Sequence, residues 1–312
     1  MTAFAFVFPG QGSQSVGMLD AWGAHPAVAA TLAEASAALG EDVAALIHAG
    51  PKEQLDLTTH TQPVMLAAGV ACYRAWMAET GLAPAFVAGH SLGEYSALVA
   101  AGVLTLADAL PLVRFRAQAM QEAVPVGIGA MAAILGLDSQ AVQAGCAEVA
   151  AASGEVVEAV NFNDPRQTVI AGTKAGVEQA CVALKAKGAK RALSLPVSAP
   201  FHSSLMKPAA ERLQARLATV ALGAPAIPVI NNVDVRIESD PARIRDALYR
   251  QAFGPVRWVE VVQALRAQGL THIVECGPGK VLAGMVKRID GDAVTAMVFD
   301  PESLAEARAL LS

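Results

Sequence analysis

Short apolar runs alternate along the chain with longer stretches in which apolar residues recur every three or four positions. Phe4–Phe8, Phe86–Ala88, Ile227–Val233, Thr271–Glu275 and Val294–Phe299 are short and continuous. They read as buried strands. Helical patterns fill most of Pro26–Thr80, where Thr61–Met77 is nearly all apolar, and recur at Thr105–Glu122, Ala242–Gln251 and Val256–Gln268. Strands of this kind separated by helices predict a mostly parallel sheet in a three-layer α/β arrangement. Between residues 129 and 198 the rhythm changes. Ala130–Leu137, Val156–Asn163, Gln167–Gly172 and Lys190–Val197 read as strands, with helices at Ser139–Ala151 and Lys174–Lys187. That order, β-α-β-β-α-β, is the ferredoxin-like unit. Its two ends can lie side by side, so residues 129–197 are expected as a small domain inserted into a discontinuous one formed by 1–128 and 198–312.

Composition narrows the class. Of 312 residues, 54% are hydrophobic and 16% charged, which favours a well-buried globular protein over a disordered one. The net charge of −5 comes without a Lys/Arg block, so nucleic acid is not an expected partner. Cys72, Cys146, Cys181 and Cys276 are scattered and form no C-x-x-C pair, which argues against a disulfide framework or a thiolate metal site. The first apolar run stops at Pro9 and follows no basic stretch, so it reads as a strand and not as a signal peptide or a membrane span. The expected setting is the reducing cytoplasm.

The sharpest local pattern is Gly89-His-Ser-Leu-Gly93, a G-x-S-x-G pentapeptide set between the strand at 86–88 and a helical run from Tyr95 to Ala101. Strand, sharp turn and helix make this a nucleophile elbow, with Ser91 at the apex and its Oγ exposed. The helix N-terminus beneath it favours developing negative charge. The alternative is a serine capping an ordinary turn. The whole then reads as an α/β-hydrolase-like domain carrying the insertion.

Other candidates surround the elbow. Pro9-Gly-Gln-Gly-Ser-Gln-Ser-Val-Gly17 is a glycine-rich loop after the first strand, where open α/β sheets place their sites. A phosphate loop would need a third glycine where Ser15 stands, and no G-x-x-x-x-G-K-[ST] occurs. Thr105 with Asp108 reads as a helix cap, and Pro111 as a kink or a later start. On that helix Arg116 borders the apolar stripe of Leu106, Leu110, Val113, Ala117 and Met120, whereas Arg114 points nearly opposite. An arginine beside a core-facing stripe is costly without an anion. It either pairs with a protein carboxylate, snorkels to the surface, or grips a substrate carboxylate as a fork. Among six histidines, His202 follows Pro200 in a loop at an element end and is the best-placed general base. The side chain of His90 should diverge from its neighbour Ser91.

A serine hydroxyl attacks only once a base has taken its proton, and the oxyanion it creates needs donors worth about 3 kcal/mol each. Ser91, His202, the Leu92 N–H and an N–H of the Gly10–Gly12 loop can supply these parts. They predict acyl transfer through an acyl-serine. They do not separate a transferase from an esterase or thioesterase, although the HGGG oxyanion motif of the latter is absent. A non-catalytic carrier-binding module and a flavodoxin-like nucleotide binder are more distant alternatives.

Six segments carry a resemblance: Phe8-Pro-Gly-Gln-Gly-Ser-Gln14, Gly89-His-Ser-Leu-Gly-Glu-Tyr-Ser-Ala97, Arg116 followed by Met120-Gln-Glu122, Ala159-Val-Asn-Phe-Asn163, Pro196-Val-Ser-Ala-Pro-Phe-His202 and Val274-Glu-Cys-Gly-Pro-Gly-Lys280. Together, in order and across nearly the whole chain, they resemble the malonyl-CoA:acyl-carrier-protein transacylases of bacterial type II fatty acid synthesis. The resemblance implies that Ser91 takes the malonyl group from coenzyme A, with His202 as base and then acid. It implies an oxyanion hole from the Gln11 and Leu92 backbone N–H groups, and Arg116 holding the malonyl carboxylate. The backbone carbonyl of Gln251 would orient His202, and Met120 and Asn161 would line the pocket. The implied partners are malonyl-CoA and acyl carrier protein, with no metal and no cofactor of the enzyme's own, acting as a monomer. Phe201, at a position that varies among relatives, should narrow the pocket toward malonyl. An acidic carrier would dock on local positive charge, for which Lys185, Lys187, Lys190, Arg191, Lys280, Lys287 and Arg288 are candidates.

Overall fold

The computed structural model describes residues 2–125, 127–197 and 199–312. The domain junction expected at Ser198, and Val126 in the stretch joining residues 124 and 129, lie outside the described residues.

The chain opens with β1 (Phe4–Phe8), wholly buried. Helices α1 (Pro26–Leu39), α2 (Val43–Ala49), α3 (Lys52–Leu55) and α4 (Thr58–Thr80) lead to β2 (Phe86–Gly89), followed by α5 (Gly93–Ala100) and α6 (Leu106–Glu122). A block of β3 (Gly129–Leu135), α7 (Ser139–Ser153), β4 (Val157–Asp164), β5 (Gln167–Thr173), α8 (Lys174–Ala186) and β6 (Arg191–Ser194) comes next. The chain then runs through α9 (Lys207–Leu217), β7 (Val229–Ile230), α10 (Pro241–Gln251), α11 (Trp258–Ala267), β8 (His272–Cys276), α12 (Val281–Ile289), β9 (Val294–Val298) and α13 (Pro301–Leu311).

Five strands form one sheet in the order β7-β2-β1-β8-β9, with every pair parallel. The alternation of β1 decides what covers it. Phe4, Phe6 and Phe8 face α4, where Tyr73 and Trp76 meet them edge-on; the Phe6 and Trp76 ring centroids lie 5.5 Å apart at 86°. Ala5 and Val7 face the other way, into a cluster with Trp258, Val261 and Val262 of α11 and Leu282 and Val286 of α12. Each fully buried phenylalanine stabilises this arrangement by about 1.5–3 kcal/mol. Both faces are covered, as continuous apolar strands require.

The other four strands form a separate antiparallel sheet in the order β4-β5-β3-β6. Ile134 and Ile170 turn one face toward Val177 and Leu184 of α8. Met131, Ala133, Val169 and Ala171 turn the other toward Met120, Phe201 and Met206. Among the described residues no helix is long and apolar enough to cross a membrane.

The element reading from sequence differs in places. The strand expected over 227–233 is only Val229–Ile230. Past it the Asn231 N–H turns back to the Arg236 carbonyl at 3.1 Å, and the Asn232 N–H goes to Glu94 at 2.9 Å, so neither extends the ladder. The strand expected over 190–197 stops at Ser194, two residues before Pro196, which has no N–H to donate. Pro111 lies inside α6, which starts at Leu106 after the Thr105 cap; it does not delay the helix.

Candidate active site

Ser91 sits where β2 meets α5, at φ 52°, a left-handed conformation that a side-chain-bearing residue adopts only when its surroundings hold it there. The glycines of the pentapeptide answer to contact. A Cβ on Gly93 would lie 2.0 Å from the Phe8 carbonyl oxygen, and one on Gly89 would lie 1.9 Å from the Gly93 backbone. The elbow closes only because both side chains are missing.

His202 reaches the elbow from the loop after Pro200, itself at φ 65° and 4% exposed. Its Nε2 lies 2.7 Å from Ser91 Oγ. Its Nδ1 lies 2.9 Å from the Gln251 carbonyl and 3.2 Å from that of Gly254. Carbonyl oxygens only accept, so Nδ1 carries the proton and Nε2 turns its lone pair to the serine. Burial, and then the nearby Arg116 cation, lower the imidazole pKa to about 3, so the ring is neutral at neutral pH. The two residues named from sequence as nucleophile and base are thus brought together.

Arg116 is 2% exposed. Its Nη1 donates to Gln62 Oε1 at 2.7 Å, and its Nη2 to Gln251 Oε1 at 3.1 Å and to Ser91 Oγ at 3.3 Å. All three acceptors are neutral. Its Nε has no partner, and among the described residues no carboxylate pairs with it. Burial lowers its pKa. Arg114, two residues earlier and on nearly the opposite face of α6, instead pairs with Glu41. Of the readings open in sequence, a protein ion pair and a snorkelling surface residue both fail for Arg116.

A cavity of about 130 Å³ opens here, lined among others by Gln11, Leu92, Met120, Asn161, Phe201 and His202. Met120 is 1% exposed. Asn161 follows a bulge in β4 that shifts the register against β5, and its Oδ1 is buried without a partner. Bulges re-aim side chains in this way. The Gln11 side chain donates to Thr58 Oγ1 at 3.2 Å. Among the described residues, the backbone N–H groups of Gln11 and Leu92 meet no protein acceptor. His90 turns from Ser91 toward Asn163, with Nε2 2.9 Å from Oδ1, and stacks edge-on against Trp258.

Sequence reasoning missed part of the surroundings. Gln62 lines the cavity from α4, and its signal was a polar residue inside an otherwise apolar run. Asn232 accepts the Ser91 N–H through Oδ1 at 2.7 Å and donates to the Gly89 carbonyl at 2.7 Å. The Asn231-Asn232 pair at a strand end was visible, but nothing in the sequence pointed it at the elbow. Met131, Leu195 and Val197 also line the cavity and carried no signal beyond being apolar.

Residues 5–294 match the family model described as the acyl transferase domain. The chain is 56% identical over 308 residues to the malonyl CoA-acyl carrier protein transacylase of Escherichia coli K12, covering 98% of this chain and 99% of the relative. The crystal structure of an acyl-carrier-protein S-malonyltransferase from Burkholderia pseudomallei 1710b superposes with a TM-score of 0.97 at 66% identity, over 99% of this chain and 100% of that one. A malonyl-transacylase solved in complex with a type II PKS acyl-carrier protein superposes at 0.97 with 51% identity, over 99% and 100%. With the serine, imidazole and guanidinium gathered at one cavity and relatives this close over the full length, the chain belongs to the malonyl CoA-acyl carrier protein transacylase family of acyl transferases.

Proposed function

We propose that the protein moves a malonyl group from malonyl-CoA to the phosphopantetheine thiol of an acyl carrier protein, through a malonyl ester on Ser91. His202 Nε2 takes the serine proton as Oγ attacks the thioester carbonyl. The oxyanion is held by the unengaged N–H groups of Gln11 and Leu92, each worth about 3 kcal/mol in the transition state. His202 then returns the proton to the departing coenzyme A thiol. The carrier thiol repeats the sequence in reverse, and Ser91 is regenerated. The Gln251 carbonyl fixes the ring and its tautomer, the orienting task that an acidic residue has in other serine enzymes.

The observation that carries this reading is Arg116: a buried cation beside the Ser91–His202 pair, surrounded by neutral acceptors. A carboxylate on the substrate supplies the missing charge, and its two oxygens match the guanidinium fork. An acyl group without a carboxylate leaves that charge unpaired, a penalty steep enough for strong discrimination. Met120 and Asn161 act as walls of the acyl pocket.

The same reading gives the fold its finer description. The five-stranded sheet with its helices is an α/β-hydrolase-like three-layer domain (1–128 and 198–312), and 129–197 is an inserted ferredoxin-like domain whose strand order suits that unit. The protein acts as a monomer in the cytoplasm, in fatty acid synthesis, and the reaction as written needs no metal or prosthetic group. Incubation with malonyl-CoA with and without carrier protein tests the transferase reading. Malonyl-carrier formed at the expense of malonyl-CoA is expected; free malonate in both cases would make the protein a thioesterase.

A further inference from the structure

The Ser91–His202 pair and the reading built on it give no task to a buried acid three residues beyond the nucleophile. Glu94 lies in the first turn of α5 and is 2% exposed. Its Oε2 accepts two hydrogen bonds, from the Asn232 N–H at 2.9 Å and from Gln251 Nε2 at 3.0 Å. Asn232 grips the serine half of the catalytic pair, and Gln251 touches both halves. The Asn232 side chain spans the elbow, bonded to the Ser91 N–H and the Gly89 carbonyl at 2.7 Å each. The Gln251 side chain donates to the Ser91 carbonyl at 2.9 Å and accepts from Arg116, while its backbone carbonyl accepts a hydrogen bond from His202 Nδ1–H. Asn232 stands in the turn after β7 and Gln251 at the end of α10. They come from separate elements, and this one oxygen accepts from both.

We propose that Glu94 is a positioning residue, an acceptor that latches the loop holding Ser91 to the helix end holding His202. The bland alternative is an acid placed favourably at a helix N-terminus. That role needs no partner from Asn232 or Gln251, and a surface-facing acid would serve it. A first-turn acid that is buried and doubly bonded across two distant segments calls for the second role. Both donors converge on one oxygen, so an amide carbonyl in the same place serves nearly as well. The latch therefore depends on an acceptor there more than on charge.

The test uses a neutral alkyl fluorophosphonate, in which Ser91 Oγ bonds to phosphorus, fluoride leaves and His202 takes the serine proton. This probe needs neither malonyl-CoA, Arg116 nor the carrier, so a wild type that fails to react sinks the Ser91–His202 reading and not the latch alone. Because a displaced reacting group costs up to about 100-fold, Glu94→Ala is expected to lower the maximal inactivation rate about 10- to 100-fold with the probe's half-saturation concentration unchanged. Glu94→Gln is expected to recover most of that loss. A Glu94→Ala rate within twofold of wild type, a loss confined to half-saturation, or a Glu94→Gln as slow as Glu94→Ala would each overturn the proposal. Should Glu94→Ala not fold, Asn232→Ala removes the elbow arm of the same latch. The same loss is expected there, and a wild-type maximal rate would overturn it.

Discussion

At the scale of single residues, the site is set by charge and burial. Arg116 was legible as unusual because a cation at the edge of an apolar stripe is expensive, but its partners were not. Gln62 and Gln251 lie 54 and 135 positions away in sequence. Removing the fork should cost malonyl transfer more than it costs anything else. Arg116→Ala is expected to lower kcat/KM for malonyl-CoA by about 2–4 kcal/mol in barrier terms, while uncharged acyl groups gain relative to malonyl. Competition between malonyl-CoA and acetyl-CoA checks it, and an unchanged preference would reduce Arg116 to a structural part. The same cation also acts on the base. Burial first, and Arg116 second, hold the His202 pKa at about 3, below the ordinary 6.5. A histidine depressed in this way is neutral in the fold and gains a proton on unfolding. Its share of stability is therefore complete above pH 6.5 and is lost as pH falls from there toward 3. The acid limb of Ser91 reactivity toward a neutral fluorophosphonate should lie well below pH 6.5. Arg116→Ala should move that limb upward, since one of the two depressing causes is gone; a limb that stays put or moves down contradicts the assignment.

At the scale of elements, the strand-turn-helix reading of residues 86–101 was available from pattern alone, because G-x-S-x-G between an apolar run and a helical one leaves few other conformations. What the pattern could not give was the reason for each glycine. Gly93 is excluded from bearing a side chain by the Phe8 carbonyl 2.0 Å from where a Cβ would sit, a contact between the start of α5 and the end of β1, far apart in sequence. Gly93→Ala should therefore destabilise the fold by about 3 kcal/mol through forced backbone movement. Gly291, with nothing within 4 Å of its would-be Cβ, should accept alanine within about 0.5 kcal/mol. Denaturant unfolding of the pair checks this, and equal midpoints would contradict the packing account. Short or polar elements were the least legible. β7 is two residues long because Asn232 leaves the sheet for Glu94, a tertiary demand that periodicity does not record.

At the scale of the whole molecule, the change of rhythm at residue 129 anticipated a second sheet, and the cavity lies where that sheet meets the first. Met131, Leu195 and Val197 close it from one side while Ser91, Leu92 and Arg116 close it from the other. Docking of an acidic carrier belongs to this scale. Of the basic residues legible in sequence, Lys187 already pairs with Glu148 at 2.8 Å and Arg288 with Asp164 at 2.6 Å. Among the described residues Lys185, Lys190, Arg191 and Lys280 are exposed and have no such pair, and of these Lys190 and Arg191 stand side by side where β6 begins. Reversing both to glutamate should raise KM for the carrier more than KM for malonyl-CoA, with the difference shrinking as salt is added. Equal effects on both substrates would place the docking face elsewhere.

In the proposed reaction Ser91, activated by His202, holds the malonyl group covalently between donor and acceptor. Its most direct measurement is the intact mass of the protein after brief exposure to malonyl-CoA without carrier, followed by peptide mapping. One added malonyl group is expected on the Ser91 peptide, absent from Ser91→Ala and discharged by carrier protein. An unmodified wild type that still transfers malonyl to the carrier would contradict it.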